Sequence, residues 1–119
     1  MTYPDASDPA RVGSYPAAVS AGGGYVWDAV LEYRVWFSPT RGADDLADGD
    51  DYYFAFATFA EAEAASHERP GADEPLALIL QREYIEETEP GNYRHVRHQR
   101  MTEWPVEFLT RPVPHYVWG

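Results

Sequence analysis

The sequence contains no cysteine and no lysine. Without cysteine the chain has no disulfide, no thiolate nucleophile and no thiolate metal ligand. Without lysine it has neither a Schiff-base amine nor the lysine of a phosphate-binding P-loop. All nine basic residues are therefore arginines, a bias that the base composition of a genome explains as well as a function does.

Long apolar runs are also missing. A helix that crosses a bilayer needs roughly 20 consecutive apolar residues, and no stretch approaches that length. The segment Met1–Asp5 shows no basic region followed by an apolar one, so a secretory signal is not visible. We therefore expect a soluble, cytoplasmic protein without a membrane partner.

Positive charge is scarce, and the formal net charge is −11. A field of this sign repels nucleic acid, nucleotides, CoA and anionic membranes unless a local basic patch overrides it. We expect no nucleic-acid partner and no bound cofactor. A small molecule or a protein remains as the partner, and the charge favours a cationic one.

The length of 119 residues fits one domain. Residues 1–24 combine prolines and small residues with the triplet Gly22–Gly24 and have no apolar period, which predicts a flexible N-terminal tail. The triplet does not follow a strand, so we interpret it as a hinge rather than a phosphate-binding loop. Residues 25–111 then form a single domain, and residues 112–119 an extended C-terminal tail.

Period-2 patterns dominate the first half of the domain. From Tyr25 to Phe37 the odd positions carry no charge, which predicts a half-buried strand long enough to contain a bulge. The run Asp51–Ala57 is apolar on both sides, which is typical of a central strand. Thr58 and Glu61 then match a capping box, so a helix should begin near Phe59.

The second half of the domain continues with strands. Leu76–Ile85 is predicted as the third strand, and Glu89–Asn92 as a turn. Tyr93–Met101 is polar on both sides and should pair back as a fourth, edge strand. A short helical turn should start at Trp104. The fold class is thus α+β, a small antiparallel sheet in the order β-β-α-β-β plus a C-terminal helical turn, with one helix packed on it.

Five basic residues lie close together in the predicted fourth strand: Arg94, His95, Arg97, His98 and Arg100. Forked guanidinium groups capture anions. However, side chains of a strand alternate between its two faces, so only part of this charge can face one ligand. Protection of a strand edge, with pairing to the protein's own acids, is the interpretation that we favour.

A metal site is not predicted. Histidines three residues apart share a face on a helix but not on a strand. The acidic loop 44–51 fails the EF-hand pattern, because Leu46 and Ala55 occupy positions that need oxygen ligands. We interpret this loop as solvated.

Aromatic residues exceed the needs of a small core, so some should be partly exposed and available to a ligand. Strands also favour aromatic residues, and the sequence does not decide between these interpretations. We assign no catalytic residue. The candidate residues for binding an anion or another ligand are Arg82, Tyr84, Arg94, His95, Arg97, His98, Glu103 and Trp104.

Several motifs are similar to those of a family of short bacterial proteins that carry an acetyltransferase-like label and have no established activity. The motifs are Tyr25–Asp28, Asp51–Thr58, Glu74–Leu78, Gln81–Ile85 and Thr102–Leu109. The resemblance implies a shared fold. A CoA-binding loop is not expected, because the one candidate, Arg41–Asp45, carries acids that would repel the phosphates.

Two functional hypotheses follow. The first is a non-enzymatic binding or accessory domain that uses a sheet face or edge near the fourth strand. The alternative is an enzyme for a small anionic or acyl substrate, in which Arg82, Arg94 or Arg97 holds the anion and Glu103 or His98 moves a proton. The alternative requires that His98 and Glu103 share a pocket with an arginine.

Overall fold

The structure is a computed structural model that describes residues 3–21 and 28–110. Seven strands and one α-helix make up this part of the chain, together with three short 3₁₀-helices at Pro9–Arg11, Pro39–Arg41 and Val106–Thr110. The strands and the helix are β1 Ser20–Ala21, β2 Ala29–Phe37, β3 Tyr52–Phe56, α1 Phe59–Glu68, β4 Leu76–Gln81, β5 Tyr84–Glu89, β6 Asn92–Val96 and β7 Arg100–Pro105.

Five of these strands form one sheet in the order β1-β7-β4-β2-β3, and β5 pairs with β6 in a separate two-stranded sheet. Strands β3, β2, β4 and β7 are antiparallel to their neighbours, whereas the short β1 joins β7 in parallel. The predicted order β-β-α-β-β corresponds to β2, β3, α1, β4 and β7. The α+β class, a small antiparallel sheet with one helix packed on it, is confirmed.

The hairpin β5–β6 forms around the predicted turn at Glu89–Asn92, but it is a separate two-stranded sheet, which the sequence pattern does not reveal. The predicted strand Leu76–Ile85 divides at Arg82 and Glu83, where the Arg82 amide donates to Asp28 Oδ2 at 2.6 Å. The predicted strand Tyr93–Met101 divides as well, because β6 stays in the hairpin while β7 returns to pair with β4. Trp104 accordingly belongs to β7, and the final helical turn begins two residues later.

Strand β3 lies at an edge of the sheet and not at its centre, which corrects the prediction. Both of its faces are nonetheless partly covered. Phe56 packs against the core beneath α1, and Tyr53 lies on the opposite face, where Arg34 contacts its ring. Apolar residues on both sides of this strand therefore reflect two partly covered faces and not two neighbouring strands.

Strand β2, which the sequence predicts to be long enough for a bulge, contains one where the register with β4 shifts between Val30 and Glu32. Leu31 is the extra residue. Before and after it, Val30 and Tyr33 belong to the same core cluster, whereas Leu31 packs with Leu78 on the other face. The predicted uniform odd-numbered face therefore holds only from Tyr33 onward, and residues 25–27 lie outside the described part.

The main core lies between the sheet and α1. Its buried members are Val30, Tyr33, Val35, Phe37, Ala62, Ala77, Ile79, Trp104 and Leu109. The sequence of α1 explains its close approach, because Ala62, a single methyl, is fully buried on its inner side. Burial of large apolar side chains contributes roughly 1.5–3 kcal/mol each, so this cluster dominates the stability of the domain.

The N-terminal segment packs against the domain, in contrast to the flexible tail that the sequence predicts. The amide of Ala6 donates to the Ala57 carbonyl at 2.8 Å, and that of Ser7 to Val30 at 2.9 Å. The Tyr33 hydroxyl donates to the Pro4 carbonyl, and Tyr15 is buried. Backbone hydrogen bonds need no side-chain period, so a proline-rich segment can dock without a pattern. Gly22–Gly24 lie outside the described residues.

The hydroxyl of Tyr33 is a dependable donor in this contact. Its burial raises the pKa of the phenol far above the usual range, and the nearby Asp5 and Tyr3 raise it further. A charged phenolate is disfavoured in such surroundings. The phenol therefore stays protonated at neutral pH and holds the chain at Pro4.

The N-cap at the start of α1 is confirmed, whereas the Glu61 side chain bonds the Thr58 hydroxyl and not the Thr58 backbone amide that a full capping box uses. The Glu61 amide donates to Thr58 Oγ1 at 3.2 Å, and the Thr58 hydroxyl donates to Glu61 Oε1 at 2.9 Å. We expect Thr58→Ala to lower the free energy of unfolding by about 1 kcal/mol, because an amide at the helix start loses its acceptor. Urea denaturation measures this, and Thr58→Ser, which keeps the acceptor, should restore most of the loss. Equal midpoints for Thr58→Ala and the wild type would contradict it.

Candidate functional site

The eight candidate residues do not form one site. Trp104 is fully buried in the core, where its indole nitrogen donates to Thr102 Oγ1 at 2.8 Å. Glu103 lies on the other face of β7, where its Oε2 accepts from Arg34 Nη1 at 3.1 Å and Trp36 Nε1 at 2.9 Å. These two residues therefore serve the interior of the domain.

Two more candidates pair with acids of the same chain. Arg82 Nη1 lies 3.8 Å from Asp28 Oδ1, and His95 Nε2 lies 3.3 Å from Glu83 Oε2. Arg94 and Arg97 are exposed on the surface of the hairpin and the loop after it. Within the basic segment, the contact of His95 with Glu83 is the kind of internal pairing that the favoured interpretation expects.

The structure does bring Tyr84 and His98 together, with Arg100 beside them. The Tyr84 hydroxyl and His98 Nε2 are 3.2 Å apart, and the two rings stand nearly perpendicular at an 87° angle. The Arg100 guanidinium carbon lies 3.6 Å from the centre of the Tyr84 ring. We call Gln81, Tyr84, His98 and Arg100 the Arg100 cluster.

Gln81 holds the Arg100 guanidinium in place through a hydrogen bond. The side chain of Gln81 is buried at the end of β4, and its Oε1 accepts from Arg100 Nε at 2.8 Å. The same oxygen accepts from Thr102 Oγ1 at 3.3 Å. Since Thr102 in turn accepts from Trp104, a line of hydrogen bonds joins the guanidinium to the core. Arg100 is thus linked to buried residues of β4 and β7.

The contacts of Arg100 leave one part of its donor set available. Within the described part of the chain, Nε is used by Gln81 and one face of the group by Tyr84, while Nη1 and Nη2 have no partner. Those two nitrogens are the end-on fork that matches the oxygens of a carboxylate. A guanidinium already held in place loses less entropy when it binds.

The charges around the Arg100 cluster also indicate that the Arg100 guanidinium is available to a carboxylate. Glu83 is paired with His95, and Asp28 with Arg82. The carboxylates whose contacts are described near this end of the sheet therefore have partners other than Arg100. None of the ion pairs found among the described side chains involves Arg100.

Two of the four residues in the Arg100 cluster are among the candidate binding residues predicted from the sequence. Tyr84 and His98 were candidates, Arg100 was only a member of the basic segment, and Gln81 was not considered. One signal was present, since Gln81 is a polar residue that ends the apolar run Leu76–Leu80. A polar side chain that continues a buried strand needs a hydrogen-bond partner, and the partner marks a second residue.

A second polar cluster lies under the N-terminal segment and is entirely internal. Arg34 Nε donates to Glu32 Oε2 at 2.7 Å, and both side chains are fully buried. Arg34 also donates to the Pro16 carbonyl at 2.6 Å, and Gly13 donates to Glu32 Oε1 at 2.8 Å. Every buried polar side-chain atom in the described residues has a partner. This cluster therefore anchors the segment.

The structure also bears on three other features of the sequence: its aromatic residues, possible metal ligands and possible membrane spans. Among the described aromatic residues only Tyr15, Tyr33, Phe37 and Trp104 are buried, and most of the others are partly exposed. The large apolar side chains that are exposed are Leu46, Phe54 and Tyr93. Among residues 3–21 and 28–110, no three acidic or histidine side chains lie close enough to hold a metal ion. No helix in the same ranges is long and apolar enough to cross a membrane.

Comparisons with known proteins add no further assignment: no protein-family model, curated protein or solved structure matches the chain significantly. The similarity to short acetyltransferase-like bacterial proteins therefore stays an expectation from the motifs quoted above. The Arg100 cluster is the feature of the structure that bears on function.

Proposed function

We propose that the protein is a non-enzymatic binding domain that holds a small carboxylate ligand at the Arg100 cluster. The supporting observation is the fixed guanidinium: Arg100 lies 3.6 Å from the centre of the Tyr84 ring and 2.8 Å from Gln81, with its terminal nitrogens available. Carboxylate oxygens accept from such a fork in two parallel hydrogen bonds.

The ligand class follows from charge and shape. A phosphate dianion carries twice the charge of a carboxylate into a protein of net charge −11, so long-range repulsion disfavours it more. The Tyr84 and His98 rings form a perpendicular pair beside the guanidinium, and flat groups pack well on aromatic surfaces. An aryl or short acyl carboxylate fits these surroundings best.

The enzyme alternative, in which Glu103 or His98 moves a proton, lacks the shared pocket that would support it. It needs Glu103 and His98 in one pocket, but the Glu103 carboxylate is bound to Arg34 and Trp36 on the face of the sheet that the N-terminal segment covers. His98 contacts Tyr84 beyond the end of the sheet. The geometry favours binding without proton transfer.

We expect sodium benzoate to raise the melting temperature of the protein saturably at millimolar concentration, because a ligand bound by the folded state alone stabilises it. Neutral benzamide should have no comparable effect. Acetate should act more weakly than benzoate, and phosphate least. The benzoate effect should shrink as sodium chloride is added, since salt screens exposed charges beyond roughly 10 Å at 0.1 M. Thermal unfolding and isothermal titration calorimetry measure both effects.

Arg97→Gln provides the matched control for Arg100→Gln. Both variants remove one arginine from the same stretch, but Arg97 is exposed and Arg100 belongs to the cluster. We expect Arg100→Gln to weaken benzoate binding by at least tenfold and Arg97→Gln by less than twofold. Arg100→Lys should also lose most of the affinity, because an ammonium group lacks the fork. Equal losses in Arg97→Gln and Arg100→Gln would contradict the proposal.

A further inference from the structure

Strand β3 forms an edge of the main sheet without the usual protection. It pairs with β2 over five successive residues in continuous register and has no other partner strand among the described residues. The run Tyr52–Phe56 contains no charge, proline or glycine. Natural edge strands are normally short, charged, bulged or interrupted by proline, because a regular free edge recruits another strand.

At the opposite edge of the same sheet, β1 pairs in parallel with β7 at Ser20 and Ala21. Among the described residues, β3 is therefore the edge strand with the longest regular pairing, five residues in continuous register with β2. A regular edge of this kind is a place where a further strand can add.

A groove runs beside β3, between the strand and α1. Phe54 and Phe56 line it from the strand, and Ala64 and Ala65 line it from the helix. Phe54 is one of the exposed large apolar side chains, and its ring also contacts Arg69. Side chains of an added strand alternate in direction, so every second one would enter this apolar groove.

Negative charge surrounds the same edge. Two of the three charged residues that line the groove are acidic, Glu61 and Glu68 beside Arg69, and all three are exposed. The loop that leads into β3 carries five aspartates, all of them exposed: Asp44, Asp45, Asp48, Asp50 and Asp51. The Tyr52 hydroxyl ties this loop to the strand by donating to the Asp44 carbonyl at 2.8 Å. The acids are therefore held near the edge.

We propose that β3 is a docking edge for an extended segment of a basic protein partner, which adds as a strand and alternates apolar with arginine or lysine side chains. Backbone hydrogen bonds to β3 give the affinity, and the groove and the surrounding carboxylates select the side chains. A second copy of this chain fits less well, since it would bring another acidic loop and a net charge of −11 against the first. This edge is distinct from the Arg100 cluster.

The test uses the capped peptide Val-Arg-Val-Arg-Val-Arg-Val and the same peptide with glutamate in place of arginine. We expect the arginine peptide to bind, with amide shift changes centred on Tyr52–Phe56, and the glutamate peptide to bind at least tenfold more weakly. N-methylation of alternate peptide amides gives two further probes. One methylation pattern should abolish binding and the other should preserve it, because only one edge of an added strand donates to β3.

Phe54→Lys and Leu46→Lys are the matched protein variants, because each adds one positive charge at an exposed apolar position. We expect Phe54→Lys to weaken binding of the arginine peptide at least tenfold, and Leu46→Lys no more than threefold. The methylated peptides keep the test decisive if Phe54→Lys is unstable. Equal losses in both variants, equal effects of both methylation patterns, or self-association of the protein through β3 in place of peptide binding would overturn the proposal.

Discussion

Arg34→Met is expected to lower the free energy of unfolding by about 3–5 kcal/mol, the usual cost of removing one partner from a buried ion pair. Arg34 binds the buried Glu32 at 2.7 Å and Glu103 at 3.1 Å, so its loss leaves one fully and one largely buried carboxylate without their cation. It also removes the donor to the Pro16 carbonyl. Urea denaturation, with the slope checked for a two-state transition, measures the loss.

Arg41→Met is the matched control, since it makes the same substitution in an ion pair that is about half exposed, Arg41 with Asp73. Exposed pairs contribute about 0–1 kcal/mol. Adding Glu32→Gln to Arg34→Met should recover part of the loss, because a buried amide costs less than a buried charge. Arg34→Met within 1 kcal/mol of Arg41→Met would show that the buried cluster does not stabilise the fold.

The same variant tests the docking of the N-terminal segment. The Gly13 amide donates to Glu32 Oε1 at 2.8 Å and should exchange slowly with solvent in the wild type. A flexible tail would instead show fast amide exchange at Gly13. In Arg34→Met, Gly13 should exchange faster than amides in α1, since the segment loses its anchor.

Local rules predicted the parts of the fold that depend on neighbouring residues. Three such features are each set within a few residues, and each appears in the structure. They are the N-cap at Thr58, the turn before Asn92 and the alternation from Tyr33 to Phe37. The alternation before Leu31 could not be read correctly, because a bulge shifts the phase without a marker residue.

Features set by distant partners were not predictable in the same way. Glu32 and Arg34 look like an exposed polar face in the alternating pattern, yet both are fully buried. What buries them is the proline-containing segment around Pro16, which has no pattern of its own. The Arg100 cluster was only partly predicted for a similar reason, since Gln81 and Arg100 meet only through the pairing of β4 with β7.

The two proposed sites lie on different parts of the sheet and carry opposite charge preferences. The Arg100 cluster begins where β7 leaves the β5–β6 hairpin, whereas the docking edge is β3, three strands away in the order β7-β4-β2-β3. A strand added to β3 would not cover Arg100. Binding of a carboxylate and of a basic segment should therefore be compatible in one molecule, which suits an accessory domain that joins a ligand to a partner.

Gly71→Ala is expected to destabilise the protein by roughly 2–5 kcal/mol, from two separate causes. Gly71 has a φ of +76°, and a left-handed conformation costs an alanine about 1–2 kcal/mol. The added methyl would also lie 2.4 Å from the Ala43 nitrogen and 2.8 Å from the Ser38 carbonyl oxygen. Both are backbone atoms of the turn after β2, which cannot move aside cheaply, and overpacking of this kind costs about 1–3 kcal/mol.

Gly49→Ala separates the two causes. Gly49 has a similar φ of +86°, but a methyl there would meet no atom within 4 Å. Its substitution should therefore show the conformational cost alone, about 1–2 kcal/mol, and the difference between the two variants gives the cost of the contact with Ala43 and Ser38. Ser38 also donates its amide to the Gly71 carbonyl at 2.9 Å, so Gly71→Ala should speed exchange of that amide while Gly49→Ala leaves it unchanged. Equal destabilisation in the two variants, with Ser38 still protected, would mean that the loop around Gly71 does not pack against the turn at Ser38–Ala43.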